Sequence, residues 1–504
     1  MIRSWLTSKN RLTTRSWIWL GSALATVAII TAILALVNAA PGNIEAENGT
    51  ASGTSSNVAD ASASNGQAVQ FGTVTVGAGN LSYQRIPWEG GPNYWKASNG
   101  AQFAKADAAG WDNPSFFPIT VFLGKAAPEH VALLKDAGIN TYAPAEHSPD
   151  IYPLTNITSQ GMFVIANGEY TQSEVGTNPG AVGWFISDEC DMGYGGCDNG
   201  STGDAGANYA LSMNVQWANE RRAYNDGRFN MANFGNGILR TYWAVGTMPQ
   251  HVQTMDVASA DKYTYTSPDV TGIIDGWHDA PDWPNGVPVA KSYSYGWQAD
   301  QMRRFQDQNE LHPVWTFVES AQPYLGEAGA HAIGLNEIGG AVWSALRHEA
   351  RGISYFQHNN ASSGCTGNYS IVDCADVRAA VKAVNTKVTS LAPVLNTQSY
   401  YNATRVVNGF TYQYFTFNNG TDTMLKTYNN SAYIFAGLGM KCSNTSCTSG
   451  TADATGSKTF TLPSGVTGTS VEVMGEGRTL PVTGGQFTDT FPQEYSNHVY
   501  RIAL

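Results

Sequence analysis

Two glutamates stand where short apolar runs end. Trp184-Phe185-Ile186-Ser187-Asp188 leads into Glu189, and Trp315-Thr316-Phe317-Val318 leads into Glu319. Short apolar runs of this kind read as buried strands, so each glutamate is delivered to the rim of a sheet. One such residue alone can be no more than a solvated charge. Two at matching rims can divide a reaction between them. One gives a proton to a departing oxygen, and the other meets the cationic carbon left behind, which is the chemistry of acetal cleavage.

The elements that must hold them repeat along the chain. Apolar runs at 116–123, 139–143, 162–166, 181–187, 229–234, 258–264, 313–318 and 353–356 read as eight strands. Helical segments at 128–137, 205–225, 290–306 and 375–391 fall between or after them. Another carries Ile338, Ala341, Val342, Ala345 and Leu346 at spacings of three and four. Alternating strands and helices predict an α/β fold, a closed (β/α)8 barrel over 114–398, with short units after strands two and three. Reactive groups in such barrels sit at the C-terminal ends of the strands. From 399 to 504 the helical pattern stops. Strands at 406–417, 432–437, 459–462, 470–474 and 498–502 predict an antiparallel β-sandwich.

The resemblance that fits these motifs is to the clan of retaining (β/α)8 glycoside hydrolases, whose glutamates end strands four and seven. Gly183-Trp184-Phe185-Ile186-Ser187-Asp188-Glu189 is similar to a strand of several clan members. Val381-Lys382-Ala383-Val384-Asn385 with Leu391-Ala392-Pro393-Val394-Leu395 resembles their final helix. The resemblance spans roughly 114–504. It implies a carbohydrate substrate, Glu189 as acid/base and Glu319 as nucleophile. Clan members carry Asn before the acid/base glutamate, whereas Asp188 stands there in this chain. That exchange is expected to raise the pKa of Glu189 and to remove an amide donor to the sugar.

Other rim positions are candidates for substrate binding. Asn233 closes strand five and Tyr263 closes the sixth run, where its hydroxyl can bond the nucleophile. Trp277 and Trp283 lie in the long loop 268–288 with His278, Asp279 and Asp282, and indole faces stack on sugars. Glu146, His147, Asn167 and Glu169 follow strands two and three and read as loop polarity. Asp191, Asp198 and Asp204 follow Glu189 without the spacing of an EF-hand. No metal and no cofactor is expected.

The bulk numbers narrow the rest. Apolar residues make up 42% of the 504, enough for a large core. Formal charge is −12. Residues 1–39 hold four bases, Arg3, Lys9, Arg11 and Arg15, and no acid, so removing those four leaves −16 on the remainder. Such a polyanion excludes nucleic acid as a partner. The four bases precede a charge-free run of 21 residues, Trp17–Val37. It is long enough to span a bilayer, and Val37-Asn38-Ala39 also suits a signal peptidase, so 1–39 is a signal peptide or a membrane anchor. Either leaves the body extracellular or at the cell surface, with the membrane touched only through this segment. Six cysteines fall in local pairs, Cys190 with Cys197, Cys365 with Cys374 and Cys442 with Cys447, and are expected as disulfides. Residues 40–113 read as a Gly/Ser/Asn-rich linker and lead-in to the barrel. Within them Ile44-Glu45-Ala46-Glu47 and Ala68-Val69-Gln70-Phe71 resemble the opening of carbohydrate-binding modules of families six and thirty-five, as a stub without the rest of the module. The expectation is an exported monomeric glycoside hydrolase. The alternative is a surface protein that binds glycans on the same barrel without cleaving them.

Overall fold

The computed structural model describes residues 55–59, 67–71, 81–86, 90–96, 103–146, 152–235, 246–268, 270, 289–308, 310–324, 327–358, 367–407, 410–439 and 454–504. The chain divides into two units, 1–77 and 78–504. The first contributes an antiparallel strand pair, Ser55–Ala59 with Gln67–Phe71. The run Trp17–Val37 lies outside the described residues. No helix among the described residues is long and apolar enough to cross a membrane.

The second unit contains a closed barrel of eight parallel strands. These are β1 (Ile119–Val121), β2 (Thr141–Tyr142), β3 (Phe163–Ala166), β4 (Ala181–Asp188), β5 (Phe229–Phe234), β6 (Val257–Ala260), β7 (Val314–Glu319) and β8 (Gly352–Phe356), each bonded to its neighbours in sequence order. Their apolar runs face inward and outward by turns. On β7, Trp315 and Phe317 join the interior, while Val318 packs with the outer helices. The outer layer includes α1 (Pro128–Asp136), α2 (Gly203–Arg222), α3 (Tyr293–Arg303), α4 (Leu335–Arg347) and α5 (Ala375–Ser390). The stripe Ile338, Ala341, Val342, Ala345 and Leu346 of α4 is buried. Among the described residues after β2 and β3, the helices are four residues long, Thr155–Thr158 and Gln172–Val175. Gly138, at φ +80, ends α1, and a Cβ there would meet that of Asn385 at 2.8 Å, which fixes α5 against this turn.

The barrel's two ends differ. At the end where strands begin, Trp95, Phe103 and Trp111 enter the interior cluster with Phe229 and Trp315. The rings of Trp95 and Phe229 lie 4.9 Å apart, and Trp111 stacks on Trp315 at 6.2 Å. The lead-in thus plugs this end and leaves the opposite rim for chemistry. Before that, Gln84–Arg85 pairs with Tyr400–Tyr401 as the last strand of a seven-stranded sheet.

That sheet belongs to the C-terminal β-sandwich. Its strands run in the order Arg478–Pro481, Ser470–Val473, Asn497–Ala503, Ser431–Leu438, Thr421–Tyr428, Tyr400–Tyr401 and Gln84–Arg85. Alternation divides its side chains. Leu425, Ile434, Tyr500 and Ile502 join the sandwich core with Phe460 and Phe487 of the facing strand pair. Met424, Tyr433, Phe435 and Val499 join the barrel's outer core, where Phe435 stacks on Trp343 at 6.0 Å.

The seam also holds a buried ionic network. Arg347 Nε donates to Asp422 at 2.8 Å, and Arg303 reaches Asp300 at 3.0 Å. His348 bridges both acids, with Nδ1 at 2.7 Å from Asp300 and Nε2 at 3.3 Å from Asp422. Burial pulls the imidazole pKa down, but the two carboxylates outweigh it, so the net shift is upward. A group with a raised folded pKa contributes stability that is complete below its unfolded pKa and lost as pH rises through the folded value. Thermal melting at rising pH should therefore show a fall in Tm that His348→Gln lacks. In acid that variant should be weaker by about 3 kcal/mol, the low end for breaking a buried pair, because both acids keep arginine partners.

Candidate active site

The rim beyond β4, β5, β6 and β7 carries a cluster of acids. Between β4 and β5 the pairing skips one residue: Met231 faces Phe185 and Ala232 faces Ser187, leaving Ile186 over. Such a bulge re-aims the residues that follow. Ser187 then bonds Asn214 on α2 at 2.7 Å, while Asp188 accepts from Asn233 Nδ2 at 2.9 Å. Asn233 is held in turn by Ser259, whose hydroxyl donates to its Oδ1 at 3.0 Å.

Glu189 follows with φ +47, a left-handed conformation that costs a non-glycine residue about 1 kcal/mol or more. Its N–H donates to the Asn233 carbonyl at 2.9 Å. Next come Cys190 and Cys197, joined in a disulfide, with Cys190 buried against Ala210 of α2. Both oxygens of Asp191 accept from the Gly235 N–H, at 3.0 and 3.2 Å. At Gly235 a Cβ would lie 2.6 Å from Glu189 Oε1, so glycine alone admits the carboxyl there.

Burial is the largest cause raising Glu189, to about 8, followed by the charges of Asp188 and Asp191; Lys262 and a bond with Asp261 oppose it. Asp188 thus acts as expected on its neighbour but ranks second. Burial pushes Asp188 itself up to about 6 against its bond from Asn233. Asp261, just after β6, is raised by burial and by Glu189 and Asp188.

Glu319 is fully buried at the end of β7. The Tyr295 hydroxyl lies 2.7 and 2.6 Å from its two oxygens, and Thr266 donates at 3.1 Å. Burial raises it to about 7 even against these donors.

Tyr263 does not take the place expected of it. Strand β6 ends at Ala260, and the chain then turns, with the N–H of Thr266 and of Ser267 both bonded to the Tyr263 carbonyl. Tyr263 donates to Asp261 at 3.1 Å, and Tyr295 of α3 is the tyrosine on Glu319. Sequence reasoning missed Asp261, Lys262, Thr266 and Tyr295. Asp261 obeys the strand-end rule once β6 is stopped at Ala260. Tyr295 lies inside a helix and carries no such signal.

The other candidates divide. Glu146 accepts from the Tyr369 hydroxyl at 2.6 Å. Asn167, Glu169 and Asp188 line a cavity of about 480 Å³ with Trp217, Glu220 and Arg221 of the α2 region. That cavity holds Asp188 and neither glutamate of the pair. Cys374 is disulfide-bonded. His147, Trp277, His278, Asp279, Asp282, Trp283, Cys365, Cys442 and Cys447 lie outside the described residues.

No family model and no curated protein matches the chain. Solved structures do. A glycoside hydrolase matches at 11% identity over 77% of this chain and 92% of its own, with a TM-score of 0.42. A family 5 glycoside hydrolase from Bacteroides vulgatus ATCC 8482 matches at 11% over 77% and 89%, TM-score 0.43. A family 42 β-galactosidase from G. stearothermophilus matches at 8% over 77% and 98%, TM-score 0.46. The likeness is one of fold.

Proposed function

We propose that this chain is an exported glycoside hydrolase that acts with retention, with Glu319 as nucleophile and Glu189 as acid and then base. The observation that carries the reading is the contrast between two strand-end glutamates on one rim. Glu319 receives hydroxyl bonds from Tyr295 and Thr266, which favour the carboxylate. Glu189 is buried beside Asp188 and Asp191, and burial and both charges favour its protonated form. Environments that push two carboxyl groups apart in this way assign base and acid. In the first step Glu319 attacks the anomeric carbon as Glu189 gives its proton to the leaving oxygen; in the second Glu189 takes a proton from water, which releases the sugar. A panel of aryl glycosides and polysaccharides, run on wild type and on both glutamine variants, tests the reading. Loss of polysaccharide hydrolysis in both variants supports it, and wild-type polysaccharide turnover in either contradicts it.

The complete burial of Glu319 favours the alternative of a glycan-binding barrel that does not turn over. Saturable binding on the same panel without hydrolysis by wild type would support that alternative.

The pH profile should be a narrow bell. Activity falls below about 7 as Glu319 takes up a proton, and above about 8 as Glu189 loses its own. Tyr295→Phe removes a donor to a charged acceptor, worth about 1.5–3 kcal/mol. It should move the acid limb upward and lower kcat/KM about tenfold to hundredfold.

A further inference from the structure

A side chain of the C-terminal sandwich, Glu494, bonds Tyr265 and Ser292, and the segments that carry these two meet at Tyr295, the partner of Glu319. Between strands Gln486–Phe491 and Asn497–Ala503 the sandwich chain makes a turn that seats on the barrel. The seat depends on Gly340 of α4, where a Cβ would stand 2.5 Å from that of Tyr495 and 3.1 Å from that of Ser292. From this turn the Glu494 carboxylate accepts three hydrogen bonds. Tyr265 donates its hydroxyl to Oε1. Ser292 donates its N–H to Oε2 at 3.0 Å and its hydroxyl to the same oxygen at 3.1 Å. Ser292 is the residue from which α3 begins, and Tyr295 lies in its first turn.

The two segments that Glu494 ties together meet again at the site. Tyr265 donates its backbone N–H to the Tyr295 hydroxyl at 3.2 Å, and their rings lie 5.7 Å apart. That bond occupies a lone pair of the Tyr295 oxygen and leaves its single hydrogen for Glu319. Both tyrosines are buried, and the pKa of each is raised, by burial first and then by the carboxylate it faces, so each keeps its proton to donate.

We propose that Glu494 is a positioning residue for the nucleophile: by clamping Tyr265 to the start of α3, it aims the Tyr295 hydroxyl at Glu319. The sandwich is then part of the catalytic apparatus, although it touches no substrate. The proposal rests on the assignment of Glu319 as nucleophile for its kinetic consequence, but not for its structural one. Among the described residues, the other titratable groups that face Glu319 are Glu337 of α4 and Tyr324 beyond β7, and no bond joins either to Glu494.

The test is the titration of the Glu319 carboxyl carbon by 13C NMR in full-length protein labelled at glutamate. The resonance is assigned by its absence in Glu319→Gln. In Glu494→Ala the midpoint should rise by about one pH unit, the loss of one charge-assisted bond. The acid limb of kcat/KM should move with it. On that limb, at fixed pH, kcat/KM should fall about tenfold, since one unit is a factor of ten. Glu494→Gln keeps an acceptor for the Tyr265 hydroxyl and should shift the midpoint less, in the same direction. It carries the test if the alanine variant does not fold. A folded Glu494→Ala, with wild-type Tm and near-UV circular dichroism, and an unmoved midpoint would overturn the proposal. So would an unmoved midpoint in Glu494→Gln where only that variant folds. If wild type cleaves no glycoside, the enzymatic reading fails, while the titration still decides the clamp.

Discussion

Glu319→Gln should lower kcat/KM by about 10⁴-fold or more, as removing a nucleophile does elsewhere, with the fold intact. The amide cannot attack, yet it keeps the oxygen that Tyr295 and Thr266 bond. Those bonds lie at 2.7 and 3.1 Å in the wild type. Burial also favours this exchange structurally, because a neutral amide costs less there than a carboxylate. Melting and the aryl glycoside assay together check it. A variant that keeps its Tm and loses turnover fits; one that keeps turnover does not.

Glu189→Gln should show a loss that depends on the leaving group. For alkyl or sugar leaving groups, which must receive a proton as the bond breaks, the rate should fall about 10²- to 10⁴-fold. For a dinitrophenyl leaving group the first step needs no proton and should proceed near the wild-type rate. The second step lacks its base, so a burst of dinitrophenolate followed by slow turnover is expected. The alkaline limb of the profile, near 8 in wild type, should vanish with the group that causes it. Stopped-flow absorbance checks the burst. An equal loss for both kinds of leaving group would assign Glu189 some other role.

The barrel was legible because its strands are short, largely apolar runs, and two of them, β4 and β7, end in charge. The β4 and β7 runs gave both glutamates directly. What hid the rest was polarity in buried places. Thr421–Tyr428 is buried almost throughout, yet it contains Asp422 and Lys426, which pair with Arg347 and Glu349 across the seam. A strand with charges at such positions reads as a loop until its partners are known. The sixth run overran for the opposite reason. Tyr263 and Thr264 favour strand, but after Ala260 the chain turns, with the N–H of Thr266 and of Ser267 bonded to the Tyr263 carbonyl. The overrun moved attention from Asp261 to Tyr263. Trp95, Phe103 and Trp111 showed no period, because they plug a barrel end and line no face. Tyr295 and Glu494 come from separate parts of the chain, and only folding brings Tyr295 to Glu319 and Glu494 to Tyr265 and Ser292.

As nucleophile, Glu319 should form the bond to the glycosyl carbon. A panel of dinitrophenyl 2-deoxy-2-fluoro glycosides, of glucose, galactose, mannose and xylose, tests it most directly. The fluorine slows both steps, and the good leaving group restores the first, so a covalent adduct should accumulate. Proteolysis and peptide mass spectrometry then locate it. A single fluoroglycosyl label is expected on the peptide that contains Glu319, absent from Glu319→Gln. A label on any other carboxylate, Glu189 and Asp261 included, would contradict it.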